Sequence, residues 1–531
     1  MNTKTGKTFN LSFIIFCIIV SVFGAIIGMQ IVTTLGITPN TSIIGALVAM
    51  VVARIPISMF YRYKSLETQN LVQTSISSAT FGAANSLLIP IGIPFAMGRT
   101  DLILPMFIGS AFALIVDALI LYKVFDSKLF PAEEAWPPGI ATAESLKAGD
   151  EGGKRAGFLG IGILAGLIGS WIGIPMSALG VAFIGNIWAL TMFGAGLLLE
   201  GYAKPLFGVN LDAHYIPHGM MIGAGLIALI QFIATLFKHK KNPANEEAAA
   251  ALQADKQTST RTDQDVKKAF SFGFLAFFVG ILLTALFGGL FSSMSVPQLI
   301  LFMLFAALAG LAHEVIVGIA AMHSGWFPAF AVSLISLIIG MLIGFPPLAL
   351  ALLVGYTSAT GPAFADLGYD FKSGFLIRDR SQIALELKGR KLQLKAGFIG
   401  FIVAIIMVAL FHHNFFSQNL VPPVDRVYAT TIKAGLSGGV GLQLLLWAIP
   451  GALIQLIGGP KRQLGIMFAT GLLIVNPLAG WAVIAGILIR VFILKWKGKE
   501  AESVMYTTAA GFIAGDALYS FFSSIFQARI K

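Results

Sequence analysis

The sequence predicts an all-α polytopic membrane protein with about 14 to 16 transmembrane helices in two duplicated halves, including broken or re-entrant helices. Only 11% of the 531 residues are charged, whereas a soluble domain has about 25% charged residues. The mean hydropathy is +0.84. Apolar runs of roughly 20 residues recur, long enough to cross a bilayer core of about 30 Å. They lack the short alternating pattern of a membrane β-barrel.

The charge distribution predicts the membrane topology. The net charge is +11, and the excess Lys and Arg lie in a few loops, which follows the positive-inside rule and is not a nucleic-acid footprint. Lys4 and Lys7 precede an apolar run, 9–32, that is too long for a signal peptide. We therefore expect a first transmembrane helix and a cytoplasmic N-terminus. The single Cys17 excludes an intramolecular disulfide or a thiolate cluster.

An internal repeat predicts the domain organisation. Three pairs of segments resemble each other in the same order: 7–28 and 268–289, 154–165 and 394–404, 218–232 and 508–522. We expect a first transmembrane half at 1–237, a flexible cytoplasmic linker at 238–268 and a second half at 269–531. If both halves begin inside, they share one orientation and enclose a central pathway.

Three further segments interrupt the apolar pattern. Segments 126–156 and 363–395 are rich in charges and are predicted to be cytoplasmic loops. Segment 65–98 is apolar but contains polar residues together with Pro90 and Pro94, which predicts a broken or re-entrant helix. Broken helices near the middle of the membrane are the usual place for a substrate site, because their freed backbone groups can bind it.

The densest group of candidate substrate-binding or proton-coupling residues lies in this broken segment: Glu67, Gln69, Asn70, Gln73 and Asn85. On a helix, residues 69, 70 and 73 share one face. Glu67 is then either a proton-titrating carboxylate in the wall of the pathway or an interfacial residue at the cytoplasmic end of the helix.

A second group of candidates comprises His313, Glu314 and His323. These residues either line a cavity and relay protons or hydrogen-bond neighbouring helices. A zinc-protease motif would need His at position 317, which is Val317. A membrane-embedded hydrolase is therefore disfavoured, and no enzymatic activity, metal or cofactor is predicted.

The remaining candidates lie in the second half, apart from the lone Asp117. Tyr356 and Thr357 are predicted to contact substrate at the cytoplasmic mouth of the pathway. Asn476 and the lone Asp117 are either functional polar groups or packing partners. We expect a further set to act in topology and gating rather than in substrate binding: Asp366, Asp370 and Lys372.

Several motifs together resemble the oligopeptide transporter family, most closely its yellow-stripe-like, metal-chelate branch and prokaryotic relatives. The motifs are ETQNLVQT, LFPAEEAWPPGIATAESLKAG, FADLGYDFKSGFLI, RDRSQ and AAGFIAGDAL. In FADLGYDFKSGFLI the matching positions include Asp366, Asp370 and Lys372. Departures are Ser373 in place of Thr, Asp516 in place of Glu, and an altered Pro-Phe-Pro box at 130–132.

The resemblance implies a secondary, proton-coupled importer with about 16 spans. We predict small oligopeptides as substrates, with metal-chelate or siderophore complexes as the alternative and a passive channel as a competing class. No phosphate-binding loop is visible, which disfavours transport driven by ATP. The expected partners are the substrate, protons and the lipid bilayer, with no nucleic acid, and the sequence leaves homo-oligomerisation open. The expected location is the inner membrane of a prokaryotic cell.

Overall fold

The computed structural model describes residues 9–35, 41–54, 64–237, 259–325, 328–378, 382–435, 439–474, 476–498 and 500–530. Within these ranges the chain is helical and contains no strand. Lys4, Lys7 and most of the predicted linker lie outside the described residues. In the described part of that linker, Thr262 and Asp265 form a capping box. The next helix therefore begins at Asp263, inside the predicted linker.

The helices of the first half are α1 Leu11–Leu35, α2 Thr41–Arg54, α3 Leu66–Phe81, α4 Ile89–Met97, α5 Ile103–Val124, α6 Pro137–Glu151, α7 Gly153–Trp171, α8 Met176–Ile184, α9 Ile187–Phe207 and α10 Ile216–Phe237. A π-helical segment, Gly82–Leu88, joins α3 to α4. Segment 65–98 is therefore interrupted by a π-helical turn rather than by unwound chain. Such turns are frequent at functional sites.

The helices of the second half are α11 Asp263–Phe287, α12 Leu290–Ser293, α13 Val296–Ser324, α14 Ala329–Ile343, α15 Pro347–Ala359, α16 Pro362–Ile377, α17 Ile383–Ser417, α18 Pro423–Ala434, α19 Val440–Arg462, α20 Leu464–Leu472, α21 Pro477–Lys497 and α22 Ala501–Ile530. A true break separates α15 from α16 at Thr360 and Gly361. Gly361 has φ +94°, a backbone conformation that favours glycine.

The described ranges contain nine helical segments that are long and apolar enough to cross a membrane, and two shorter apolar ones. This confirms an all-α polytopic membrane protein, while the predicted total of 14 to 16 spans stays a prediction. Two of the nine are the most buried. In their most apolar stretch of 18 residues, 94% of the residues of Pro347–Ile377 and 72% of those of Leu66–Met97 are buried. These two interrupted segments therefore form the centre of the fold.

The prediction that 126–156 and 363–395 are solvated loops was wrong. Most of both segments is helical, and α6 packs directly against α16. The approach is so close that a side chain at Gly139 would collide with Tyr369 and Lys372. The charges of these segments can be buried because they bond groups that are distant in the sequence, which the local composition does not show.

Candidate functional site

Helix α16 is buried from Pro362 to Phe375 and connects two groups of polar side chains. The first, here called the N-terminal cluster, surrounds the break before α16: Asp117, His313, Glu314, Thr360 and Gly361. The second, here called the amide network, lies further along α16: Ser42, Asn70, Gln73, Ser77, Asp366, Asp370, Ser373 and Gln393. The 16 residues of α16 span about 24 Å. The N-terminal cluster lies at the start of this length and the amide network lies further along it.

Asp117 of α5 caps α16. Its Oδ2 atom accepts a hydrogen bond of 2.6 Å from the backbone N–H of Gly361, and the backbones of Ala363 and Phe364 also donate to the carboxyl group. The first N–H groups of a helix lack partners within the helix and favour negative charge. Asp117 therefore fixes the start of α16 at the helix break.

His313 bridges the break and the start of α14. Its Nδ1 atom lies 2.5 Å from the carbonyl oxygen of Thr360, and its Nε2 atom lies 2.9 Å from that of Ala329. A carbonyl oxygen only accepts, and a neutral imidazole donates from one nitrogen. Both contacts become hydrogen bonds only when the ring takes a second proton. Burial favours the neutral ring, and the hydroxyls of Thr360 and Ser333, each 3.2 Å from a ring nitrogen, supply further hydrogen-bond partners for it.

Glu314, the next residue of α13, is fully buried. Neither of its carboxyl oxygens has a hydrogen-bond partner among the described residues. Asp117, another acidic side chain, lies close enough to oppose ionisation of Glu314. An isolated ionised carboxylate in an apolar environment costs far more than a neutral acid, so this environment accepts Glu314 only in its protonated form.

The amide network contains two carboxylates that do have donors. The Oδ1 atom of Asp370 accepts hydrogen bonds from Ser42, at 3.0 Å, and from the amide of Gln73. Ser77 donates to Asp366 at 2.8 Å, and the hydroxyls of Ser42 and Ser77 lie 3.0 Å apart. These bonds join α2 and α3 to α16.

Amide side chains extend the network to α17. Asn70 donates to the hydroxyl of Ser373 at 2.7 Å, and Gln393 donates to Asn70 at 2.8 Å and to the carbonyl of Asp370 at 2.6 Å. Lys372 donates to the carbonyl of Ala132 at 2.7 Å. The network therefore holds α3, α16 and α17 together at the centre of the molecule.

A buried group of ion pairs closes the far end of α16. Arg378 binds Glu386 with two bonds, of 2.6 and 2.9 Å, and Arg390 approaches the same carboxylate at 3.1 Å. Arg390 also lies 3.5 Å from Asp126. Arg378 donates to Gln393 at 2.7 Å, which connects these ion pairs to the amide network.

The structure separates the predicted residues of α3. Asn70 and Gln73 face α16 and belong to the amide network. Glu67 lies half-buried in the first turn of α3, where negative charge is favourable, and Gln69 donates to the carbonyl of Lys64 at 2.8 Å. Asn85 lies in the π-helical segment. Both interpretations of Glu67, as a residue of the pathway wall or of the membrane interface, stay predictions.

Asp366, Asp370 and Lys372 are buried within α16, so their predicted position in a polar connector was wrong. Tyr356 donates to the carbonyl of Phe277 at 2.9 Å. Thr357 likewise donates to a carbonyl of its own helix, at 3.0 Å. These backbone partners account for both hydroxyls in the present conformation.

Two predicted residues lie apart from the clusters. Asn476 caps α21 by accepting a bond of 3.0 Å from the backbone of Ala479. His323 is buried near the end of α13, with its Nδ1 atom 3.7 Å from a carboxyl oxygen of Glu134. The cap accounts for Asn476 without a ligand.

Sequence reasoning missed Ser42, Ser77 and Gln393, which resemble ordinary polar residues of helix interiors and ends. Asp117 carried a signal, since it is a charged residue well inside an apolar run. Two open cavities of about 460 and 450 Å³ lie at the surface, beside α18 and beside the end of α17. No cluster residue lines either of these two cavities, and Asp117, His313, Glu314 and Thr360 are fully buried.

A helical membrane protein with closed, titratable side chains at an interrupted central helix has the features of a transport protein. The chain matches the family model described as OPT oligopeptide transporter protein, over residues 8–216 and 174–527. It therefore belongs to the OPT oligopeptide transporter family, whose members transport oligopeptides or related compounds. No curated protein matches the chain.

Proposed function

We propose that the protein is a secondary active, proton-coupled transporter that imports small oligopeptides across a cell membrane by alternating access. The observation that supports this proposal most strongly is Glu314, a fully buried carboxyl group without a hydrogen-bond partner among the described residues. Such a group is stable in its protonated form and releases its proton when water reaches it.

The position of Glu314 links this proton to the shape of the pathway. The residue adjoins His313, which binds the carbonyl of Thr360 at the break before α16. Opening the molecule at this break would expose Glu314 to one side of the membrane, and closing it would require the proton again.

The amide network has a different part in this proposal. Asp366 and Asp370 hold α3 against α16 while the pathway is closed. Their donors, Gln73 and Ser77, must separate from them if the two helices move apart. Side chains released in this way, Asn70 and Gln73 among them, would then be free to contact the backbone of a peptide.

Uptake into liposomes tests the proposal. A labelled tripeptide should accumulate in liposomes containing the purified protein when the outside is made acidic, and a protonophore should abolish the accumulation. A sodium gradient of the same size should have no effect. Accumulation that survives the protonophore would refute proton coupling, and equilibration without accumulation would indicate a passive channel.

Metal-chelate uptake is the second candidate, supported by the resemblance of the sequence motifs to the yellow-stripe-like branch. The same liposomes distinguish the two substrates. A radiolabelled iron–chelator complex should not accumulate and should not compete with the peptide. Gradient-driven accumulation of the complex with no peptide uptake would reverse the assignment while leaving proton coupling intact.

A further inference from the structure

Helix α18 is a short amphipathic helix on the molecular surface, and it is not one of the candidate membrane spans. One side is exposed and carries Arg426 and Thr430. The opposite side is buried and carries Asp425, Tyr428 and Ala429. The buried side packs against α4 and α15. An acidic residue on the buried side of such a helix needs an explanation.

Asp425 is fully buried, and neither carboxyl oxygen has a hydrogen-bond partner among the described residues. It is the third residue of α18, where an acidic side chain commonly accepts a bond from the backbone N–H before the helix. Pro422 and Pro423 precede it there, and proline has no N–H to donate. The carboxyl group instead lies against Gly92, where any side chain would collide with it.

The surroundings of Asp425 contain little charge to compensate for its own. Helices α4 and α14 carry no titratable side chain, and α15 carries only Tyr356. On α18 itself, Arg426 and Tyr428 are the titratable neighbours. Burial raises the pKa of Asp425 well above the usual value of an aspartate, and the charge of Arg426 opposes this only in part.

The buried side of α18 also reaches the N-terminal cluster. Tyr428 donates to the carbonyl of Phe330 at 2.9 Å and bonds the side chain of Ser333. Ser333 in turn lies 3.2 Å from the Nε2 atom of His313. A movement of α18 would therefore break the contacts that cover His313 on this side.

We infer that Asp425 is a proton-binding site that operates α18 as a lid over the N-terminal cluster: the lid seats when Asp425 is protonated and lifts when Asp425 loses its proton. The lid deepens the proposed transport function, but its movement can be measured without transport.

The sign of the pH effect follows from the raised pKa. At a pH below the usual pKa of an aspartate, Asp425 is protonated in both positions of α18, and the seated position keeps its full stability. As the pH rises toward the raised pKa, Asp425 loses its proton only when α18 is lifted, and the equilibrium between seated and lifted α18 shifts toward the lifted position. Above the usual pKa of an aspartate, the ratio of lifted to seated α18 rises by up to about tenfold per pH unit. The rise ends at the pH where Asp425 also ionises in the seated position.

Cysteine labelling in detergent tests the lid. The only native cysteine is replaced in a Cys17→Ala background, and Ala429→Cys then places a thiol on the buried side of α18. Thr430→Cys, on the exposed side of the same helix, serves as the matched control and corrects for the effect of pH on thiol reactivity. The labelling rate of position 429 with a bulky maleimide, divided by that of position 430, is measured from just above the usual pKa of an aspartate to alkaline pH.

The ratio should rise about tenfold or more from the lowest to the highest pH. Adding Asp425→Asn, which cannot ionise, should keep the ratio low throughout. Adding Gly92→Ala, whose new methyl group collides with Asp425, should raise the ratio at every pH. A pH-dependent ratio that persists in Asp425→Asn, or a ratio that is flat in the parent, would overturn the lid. Neither result depends on peptide uptake, so failure of the transport proposal would be seen separately.

Discussion

Asp370 and Glu314 are both fully buried carboxyl groups of interrupted or central helices, but their surroundings differ. Asp370 accepts bonds from Ser42 and Gln73 on two other helices. Glu314 has no hydrogen-bond partner among the described residues. Burial alone therefore does not define a role. A carboxylate with hydrogen-bond donors joins helices to each other, whereas a buried carboxyl group without donors is stable in its protonated form.

The largest expected effect on stability follows from removing the carboxylate of Asp370, which accepts hydrogen bonds from two other helices. Asp370→Ala removes the acceptor of the Gln73 amide and one of the two partners of the Ser42 hydroxyl, which keeps Ser77. A buried donor left without an acceptor costs about 1 to 3 kcal/mol. We therefore expect the free energy of unfolding in mild detergent to fall by about 3 kcal/mol. Chemical denaturation followed by tryptophan fluorescence measures it.

Asp101→Ala is the matched control for this substitution, because Asp101 is an exposed aspartate paired with Arg99. Exposed pairs contribute about 1 kcal/mol or less. Equal losses for Asp370→Ala and Asp101→Ala would mean that the amide network does not fasten the helices.

The smallest expected effect on stability is that of Glu314→Gln. Glutamine has nearly the shape of a protonated glutamic acid, and it replaces a group that is already neutral and makes no hydrogen bond among the described residues. We expect a change below about 1 kcal/mol in the free energy of unfolding near neutral pH. A loss comparable to that of Asp370→Ala would show that Glu314 is ionised and bonded in the native protein.

The sequence predicted the class of fold because the apolar runs alone require a bilayer. It also indicated that 65–98 is interrupted and that Asn70 and Gln73 lie on one face. It could not assign the role of 363–395, since the partners of Asp366 and Asp370 lie 289 and 297 positions earlier, on α3. The local charge density predicts a solvent-exposed segment, and only the tertiary contacts show that the Oδ1 atoms of Asp366 and Asp370 accept hydrogen bonds from other helices.

The sequence could not distinguish the roles of the acidic residues, for a related reason. Glu67 is a candidate because it belongs to a dense polar group, whereas Asp425 lies in a segment with no such group. Whether a carboxylate is paired depends on which donors the other helices supply at its position. The sequence does not give that information for either residue.

Transport by Glu314→Gln in liposomes tests the central claim most directly. Two rates are measured with the same labelled peptide: accumulation driven by an acidic exterior, and exchange with unlabelled peptide already inside. If Glu314 carries the coupling proton, accumulation falls to the level of empty liposomes while exchange stays within about twofold of the unmodified protein. Accumulation that persists at the unmodified rate would contradict the account.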